Sequence, residues 1–296
     1  MGKVMGKAIF YIKFIRVHQW IKNTFVFIPA FFASQINEIH NIKLLLIAFL
    51  SFSLVASSIY IINDYVDIEK DKIHPTKSKR PLAAGKITKN EAKILFFIIF
   101  LTGFSLAIPL NFIFLGIIVC YFILNLLYCF YLKRIALIDI LVISSGFLLR
   151  VLAGGVVLGI ILSKWLIILT FLLALFLGFS KRRDDVLLMN NEGFMARKSV
   201  EGYNLEFINA AMVVLAAVII VAYIMYAISP DLANRLHTDY SYITVFPVLV
   251  GVLRYFQITF VEQKSADPTQ ILLKDKFIIF TVLTWIMMNL FLIYVK

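Results

Sequence analysis

The sequence predicts an all-α, polytopic membrane protein with nine transmembrane helices. Three observations carry that reading. Of its 296 residues, 61% are hydrophobic and only 16% are charged, whereas soluble domains average roughly 45–50% apolar and about 25% charged. Apolar runs close to the ~20 residues that cross a ~30 Å hydrocarbon core recur along the chain. The basic residues, finally, cluster between alternate runs, the asymmetry expected of a chain threaded through a bilayer.

The runs lie near 22–33 (short, with room to extend at its start), 43–62, 91–110, 112–131, 135–158, 162–180, 207–228, 241–260 and 277–295. They leave no room for a separate soluble domain, so residues 1–296 are read as one integral-membrane domain. The start of the chain is basic, but no short apolar segment with a small-residue cleavage site follows it, so no cleavable signal peptide is expected. With the N-terminus inside, 23 of the 29 Lys and Arg residues fall in inner segments. Lys43, Lys164, Arg235 and Lys296 fall outside, and Arg150 and Arg254 lie within helices. Because Lys and Arg collect on the cytoplasmic side, the N-terminus and the basic loops are expected in the cytoplasm and the protein in the plasma (inner) membrane. The net charge of +12 then reflects topology. The lipid bilayer is the implied partner, nucleic acid is not, and the oligomeric state stays open, a homo-oligomer included. Cys120 and Cys129, nine positions apart on one helix, point to opposite sides at ~100° per residue, which argues against a disulfide or a shared metal site.

One boundary carries chemistry: "YIINDYVDIEKDKIHPTKSKRPLAAGK", residues 60–86. Pro75, Pro81 and Gly85 break a long helix, so the stretch reads as a helix end followed by a loop. On a continuing helix Asn63, Asp67, Asp71 and Asp64 fall at about 0°, 40°, 80° and 100°, while Glu69 points elsewhere. Three carboxylates on one face repel unless a cation joins them, and oxygen-only ligands favour Mg²⁺. Mg²⁺ shares its coordination with phosphate oxygens, and Lys77, Lys79 and Arg80 follow to meet the remaining phosphate charge. The bland alternative, a solvated loop whose charges set topology, accounts for the lysines but not for acids at four-residue spacing.

Other residues weigh less. Arg150, mid-helix, is costly unless it meets a partner or a ligand; Asp139 is on the same face but about 16 Å away along the axis, too far for a direct pair. Arg254 is treated alike. Asn125 and Tyr128 are candidates for ribose or phosphate contact, or for interhelical hydrogen bonds. Lys22 and Asn23, in "QWIKN", sit at the inner interface, where Lys and Trp anchor helices. His74 braces the loop or serves the site. Gly154, Gly155 and Gly159 are expected to be close-packing positions.

The motifs resemble the UbiA superfamily of intramembrane prenyltransferases. "NDYVDIEKD" fits its NDxxDxxxD signature. The fuller set, "NDYVDIEKDKIHPTKSKRPLAAG", "QWIKN", "YLKRIALIDILVISSGFLLRVLAGG", "LGFSKRRDD" and "LRYF…DPTQILLKD", is similar to the decaprenyl-phosphate phosphoribosyltransferase branch and spans residue 16 to about 276. The resemblance implies a UbiA-like helical bundle and Mg²⁺ held by Asp64, Asp67 and Asp71, with Asn63 orienting the site. It raises Lys22, Asn23, Lys77, Arg80, Tyr128, Lys133 and Arg150 as substrate contacts. UbiA prenyltransferases carry a second, DxxxD-type motif after the sixth helix; here that place reads Lys181-Arg182-Arg183-Asp184-Asp185. Lys181 and Arg182 are therefore expected to bind donor phosphate directly, with Asp185 orienting Lys181. Arg16-Val17 departs from the family's Arg-Pro, which touches only the geometry of the first helix.

The expected reaction moves 5-phosphoribose from phosphoribosyl diphosphate to a polyprenyl phosphate lipid and releases diphosphate. The attacking phosphate oxygen is already an anion, so no general base is needed. Two rivals remain: a prenyltransferase acting on an aromatic or other acceptor, which should show the missing second acidic motif, and a transporter, for which no inverted repeat of broken helices is evident.

Overall fold

The computed structural model describes residues 2–73, 77–192, 198–263, 271 and 273–294. His74 and Pro75, and the "DPTQ" at 267–270, lie outside the described residues. Among the described residues all regular structure is helical. The α-helices are α1 (Gly2–Phe14), α2 (Ile28–Phe32), α3 (Ile39–Val66), α4 (Ile68–Ile73), α5 (Lys89–Ala107), α6 (Phe112–Phe130), α7 (Ile138–Val157), α8 (Lys164–Glu192), α9 (Leu205–Ala227), α10 (Pro230–Leu236), α11 (Val245–Phe256) and α12 (Lys276–Tyr294). Eight helical stretches are long and apolar enough to cross a membrane: α3, α5, α6, α7, α8, α9, the stretch Tyr240–Val261 that contains α11, and α12. They match the expected spans from 43–62 onward within a few residues at most ends. The exception is the far end of α8, which runs on well past the predicted stop at residue 180.

The first expected span is built differently. Residues Val17–Phe27 form a 3-10 helix that continues into the five-residue α2. A 3-10 run of this length is unusual. It begins after Arg16, which adopts a left-handed conformation (φ 54°) and redirects the chain at the end of α1.

The chain divides into two compact units, Met1–Tyr131 with Leu149–Leu162, and Leu132–Leu148 with Ser163–Lys296. In the first unit α3 is the central helix: 61% of its most apolar stretch is buried, against 22% for α5 and for α6. Small residues allow this. Ser51, Ser53, Ser57 and Ser58 on α3 are all fully buried, and Ser51 donates to the Gly103 carbonyl of α5 at 2.8 Å, the close approach that small residues permit in a bilayer. Its core joins Val26, Phe52, Val55, Phe114, Ile118 and Ala153. Gly154 is required here, because a Cβ would sit 1.9 Å from the Val26 carbonyl oxygen. Gly159 is not a packing position: its φ is 66° with open space around it, so it makes the left-handed turn after α7. A capping box between Thr88 and Glu91 starts α5.

In the second unit α8 packs on α9 and α11 on α12, around Phe176, Phe179, Ile208, Met212, Tyr255 and Ile278. Asn204 caps α9 by accepting from the Phe207 N–H. After α11 the chain widens into a π-helix, Gln257–Val261.

Candidate functional site

In the first unit α3 presents one polar stripe. Ser53, Ser57, Tyr60 and Asp64 recur at offsets of four, seven and eleven, which places them within about 60° of each other on an α-helix. The segment 16–23 runs antiparallel to that stripe and binds it rung by rung. Arg16 donates to Asp64 and lies 4.9 Å from the Tyr60 ring centroid. Trp20 Nε1 donates to Ser57 Oγ at 3.0 Å, and Ser57 in turn donates to the Ile15 carbonyl at 2.7 Å. Asn23 Nδ2 donates to Ser53 Oγ at 2.9 Å.

At the end of this stripe sits the acid cluster. α3 stops at Val66, yet the Asp67 N–H still reaches the Asn63 carbonyl at 3.0 Å and the Asp71 N–H the Asp67 carbonyl at 2.8 Å, so the four-residue rhythm survives the break into α4. Arg80 returns over the top. Its Nη1 donates to Asp64 Oδ1 at 3.1 Å and to Asp71 Oδ2 at 2.5 Å. Two carboxylates from different helices thus converge on one cationic nitrogen. Both are buried, while the Arg80 side chain keeps 24% of its surface. Arg16 supplies a second positive charge to Asp64. The short 3-10 turn Lys77–Lys79 positions Arg80, whose N–H bonds the Lys77 carbonyl at 2.9 Å.

The sequence expected three acids on one face. Among the described residues no group of three acidic, His or Cys side chains is assembled to hold a metal alone; the helix ends between Asp64 and Asp71, and Asp67 falls at that break, half-buried. The residues do fit a hard cation shared with a ligand: Asp64 and Asp71 already embrace a positive charge, and Mg²⁺ is usually held by one or two carboxylates plus substrate phosphates. Lys77 and Asn63 lie in the same unit, half-buried.

Arg150 is buried among groups of the first unit. It is 5% exposed, donates through Nε to Asn23 Oδ1 at 2.7 Å and through Nη2 to the Tyr121 hydroxyl at 2.9 Å, and its guanidinium lies 4.9 Å from the ring centroids of both Phe52 and Tyr121. Asn23, fully buried, is the bridge between Arg150 and Ser53. Their polar atoms meet protein groups, which is how a membrane-buried arginine is tolerated. Lys22 is half-buried on the same 3-10 helix. Tyr128 is half-buried on α6, where Asn125 donates back to the Tyr121 carbonyl of its own helix at 2.8 Å.

The second unit holds a sealed ion pair. Asp139 at the start of α7 accepts from Arg182 Nε at 2.6 Å, Ser199 Oγ at 2.9 Å and the Tyr203 hydroxyl at 2.8 Å. Arg182 also donates to Asp185 at 2.9 Å. Expected to meet donor phosphate, Arg182 is instead fully buried between two carboxylates. Asp185, three residues away on the helix, accepts from Arg182. Burial, helped by the bond to Asp139, pushes the Tyr203 hydroxyl well above its ordinary pKa, so it stays a donor. Lys181 on α8 and Lys133 in the 3-10 turn Leu132–Arg134 are half-buried in this unit. Arg254 pairs with Asp275 at 2.8 Å and Glu262 at 2.7 Å, and the Arg254 bond holds the Asp275 carboxyl below the usual range.

Sequence reasoning treated Arg16 as a matter of helix geometry and missed the Ser53–Ser57–Tyr60–Asp64 stripe. The signal was there: three hydrogen-bonding side chains at helical spacing leading to the first aspartate of the motif.

Fold and site together define an all-α, multi-pass membrane protein with a paired-aspartate, arginine-bridged cluster at a helix end. Residues 24–277 match the UbiA prenyltransferase family, and the chain belongs to it. It is 34% identical over 285 residues to a decaprenyl-phosphate phosphoribosyltransferase of Mycolicibacterium smegmatis, covering 93% of this chain and 89% of that one. A decaprenyl-phosphate phosphoribosyltransferase of Corynebacterium glutamicum is 32% identical over 96% of this chain and 86% of its own. In fold it is similar to a UbiA homolog from Archaeoglobus fulgidus bound to GPP and Mg²⁺, with a TM-score of 0.69 and 19% identity over 97% of this chain and all of the other.

Proposed function

We propose that this chain transfers 5-phosphoribose from phosphoribosyl diphosphate to a polyprenyl phosphate and releases diphosphate. The observation that carries this reading is the convergence of Asp64 and Asp71 on Arg80, in a chain whose full-length relatives bear that activity in their names. Asp64 and Asp71 would hold the Mg²⁺ that accompanies the donor diphosphate, with Asp67 at the break between them and Asn63 one turn before. Arg80 and Lys77 contact diphosphate oxygens, and Arg80 turns from the carboxylates towards the anion when it arrives. Bound Mg²⁺ supplies Lewis-acid neutralisation of the charge that develops on the leaving diphosphate. The anomeric C–O bond to diphosphate breaks as a polyprenyl-phosphate oxygen, already anionic, forms the new C–O bond, so no residue has to remove a proton. Lys181 stands where prenyltransferases carry metal-binding aspartates and is proposed as a donor-phosphate contact.

The same reading gives nine membrane crossings. Arg16 sits at the Asp64 end of α3, while the Gln35 carbonyl accepts from Asn41 at the other end. The segment between them therefore runs along α3, which is about 42 Å long. Eleven 3-10 residues and five α residues span roughly 30 Å, the hydrocarbon thickness, so 17–32 makes the ninth crossing. Lys7 pairs with Glu91 at 2.9 Å, which supports α1, the 67–88 loop and the start of α5 sharing one side, proposed to be cytoplasmic. Single cysteines at Ser78 and at the exposed Glu201, without Cys120 and Cys129, should resist impermeant thiol reagents on intact cells and react after lysis; labelling without lysis reverses the orientation.

The deciding experiment incubates purified protein with labelled phosphoribosyl diphosphate, Mg²⁺ and polyprenyl phosphates of several lengths. Formation of polyprenyl-phosphate phosphoribose is expected. Consumption of a prenyl diphosphate with phosphoribosyl diphosphate ignored would replace this reading with a prenyltransferase, and flux without conversion with a transporter.

A further inference from the structure

Arg183, next to the sealed pair, is used by neither arrangement above. It is 5% exposed, and its Nη1 is buried without a hydrogen-bond partner. Its Nε donates to Asn209 Oδ1 at 3.0 Å, the guanidinium lies 5.3 Å from the Phe260 ring centroid, and the neighbouring Asp184 carboxylate attracts it. A buried guanidinium with a nitrogen left unpartnered is costly and leaves a place for an anion. The same side chain lines an open groove of about 590 Å³ with Asn209, Ala210, Val213, Val214 and Phe260. The groove is polar at one end and apolar beyond it. Val213 and Val214, a turn further along α9 than Asn209, are 51% and 61% exposed. Phe260 is placed over the guanidinium by the π-helix Gln257–Val261, a distortion that often marks functional sites.

Depth completes the picture. Arg183 lies nineteen residues after the first residue of α8, about 28 Å along the helix axis, close to the ~30 Å hydrocarbon thickness. Its guanidinium is then level with lipid headgroups, and Val213 and Val214 are level with the start of the acyl chains.

We infer that this groove is a binding site for one acidic glycerophospholipid. The phosphodiester faces the guanidinium, whose charge is delocalised over all three nitrogens, Asn209 holds the guanidinium in place, and an acyl chain follows Val213 and Val214. A zwitterionic lipid is disfavoured because its own ammonium competes for the phosphate.

The test is native mass spectrometry of the full chain in detergent with added phosphatidylglycerol, phosphatidylcholine, a polyprenyl monophosphate or inorganic phosphate. The wild type should retain one phosphatidylglycerol in preference to phosphatidylcholine, and millimolar inorganic phosphate should not displace it. Arg183→Gln should weaken that retention about tenfold or more, the loss of one charge-assisted contact. Should Arg183→Gln fail to fold, Val213→Trp, at an exposed position, fills the groove with the arginine intact and should also lower retention. Equal phosphatidylglycerol retention by wild type and both variants overturns the inference. So does displacement by inorganic phosphate alone, which makes the site one for a free anion. Tighter, Arg183-dependent retention of polyprenyl monophosphate overturns it as well, and makes the groove an acceptor subsite.

Discussion

Asp64 in the first unit and Asp139 in the second are both buried carboxylates held by arginine, and they differ in what surrounds the cation. Asp139 and Arg182 expose 0% and 1% of their side chains, and Ser199 and Tyr203 donate to the same carboxylate. Asp64 is equally deep at 3%, but Arg16 and Arg80 keep 19% and 24%. A carboxylate whose cations retain an open side can exchange them for another cation or turn them towards an anion. One whose cation is sealed cannot exchange without unfolding its surroundings. The same chemistry is thus sealed in one place and open in the other, which is the basis of the reactivity proposed for the Asp64 cluster.

The sharpest way to break this comparison is to cut the sealed pair. Arg182→Gln leaves Asp139 buried and uncompensated, which should cost about 3–5 kcal/mol of stability. Thermal unfolding in detergent should show a large drop in Tm, while the molecules that remain folded keep the wild-type KM for donor. An unchanged Tm would mean the pair is not structural.

The open cluster should behave in the opposite way. Asp71→Asn or Asp64→Asn should lower kcat/KM by a hundredfold to a thousandfold, about 3–4 kcal/mol, with Tm nearly unchanged. EDTA should inactivate the wild type and Mg²⁺ restore it. Full activity of either variant in metal-free buffer removes the metal from the reaction.

Lys181→Gln comes next. It should raise the donor KM about tenfold, near 1.4 kcal/mol, and leave the KM for polyprenyl phosphate and the Tm largely alone. Wild-type donor kinetics would return Lys181 to a topological charge.

The smallest effect is expected from Ser57→Ala, which removes one rung between α3 and the 3-10 segment. Interhelical hydrogen bonds in membranes average about 0.6 kcal/mol, so a double-mutant cycle with Trp20→Phe should give a coupling of that order. Zero coupling would show that packing, not the hydrogen bond, holds the segment.

Much of the fold was legible because the bilayer imposes length and apolarity on each span; the expected run at 43–62 became α3 (Ile39–Val66) and 277–295 became α12 (Lys276–Tyr294). The first expected span was harder to read, since residues 17–27 trade α for 3-10 geometry and reach further with fewer residues. Within the candidate site, the aspartates were visible as a motif, while the partner of each charge was not. Arg150 lacked a reachable acid on its own helix, and its actual partners, Asn23 and Tyr121, come from positions 127 and 29 residues away.

Composition, run length and the placement of Lys and Arg by themselves determined an all-α chain threaded through a membrane. The acid-then-base order at 63–80 marked the candidate site. These are local or periodic properties, and they survive without knowledge of neighbours. Which arginine meets which carboxylate is a property of chain segments distant in sequence. Only the tertiary structure decided that Arg80 joins Asp64 to Asp71, that Arg182 is buried against Asp139, and that Arg183 is left facing a groove. Basic residues at 182 and 183 are adjacent and chemically identical, but a helix turns them about 100° apart, and that turn places one in an ion pair with Asp139 and the other beside a groove.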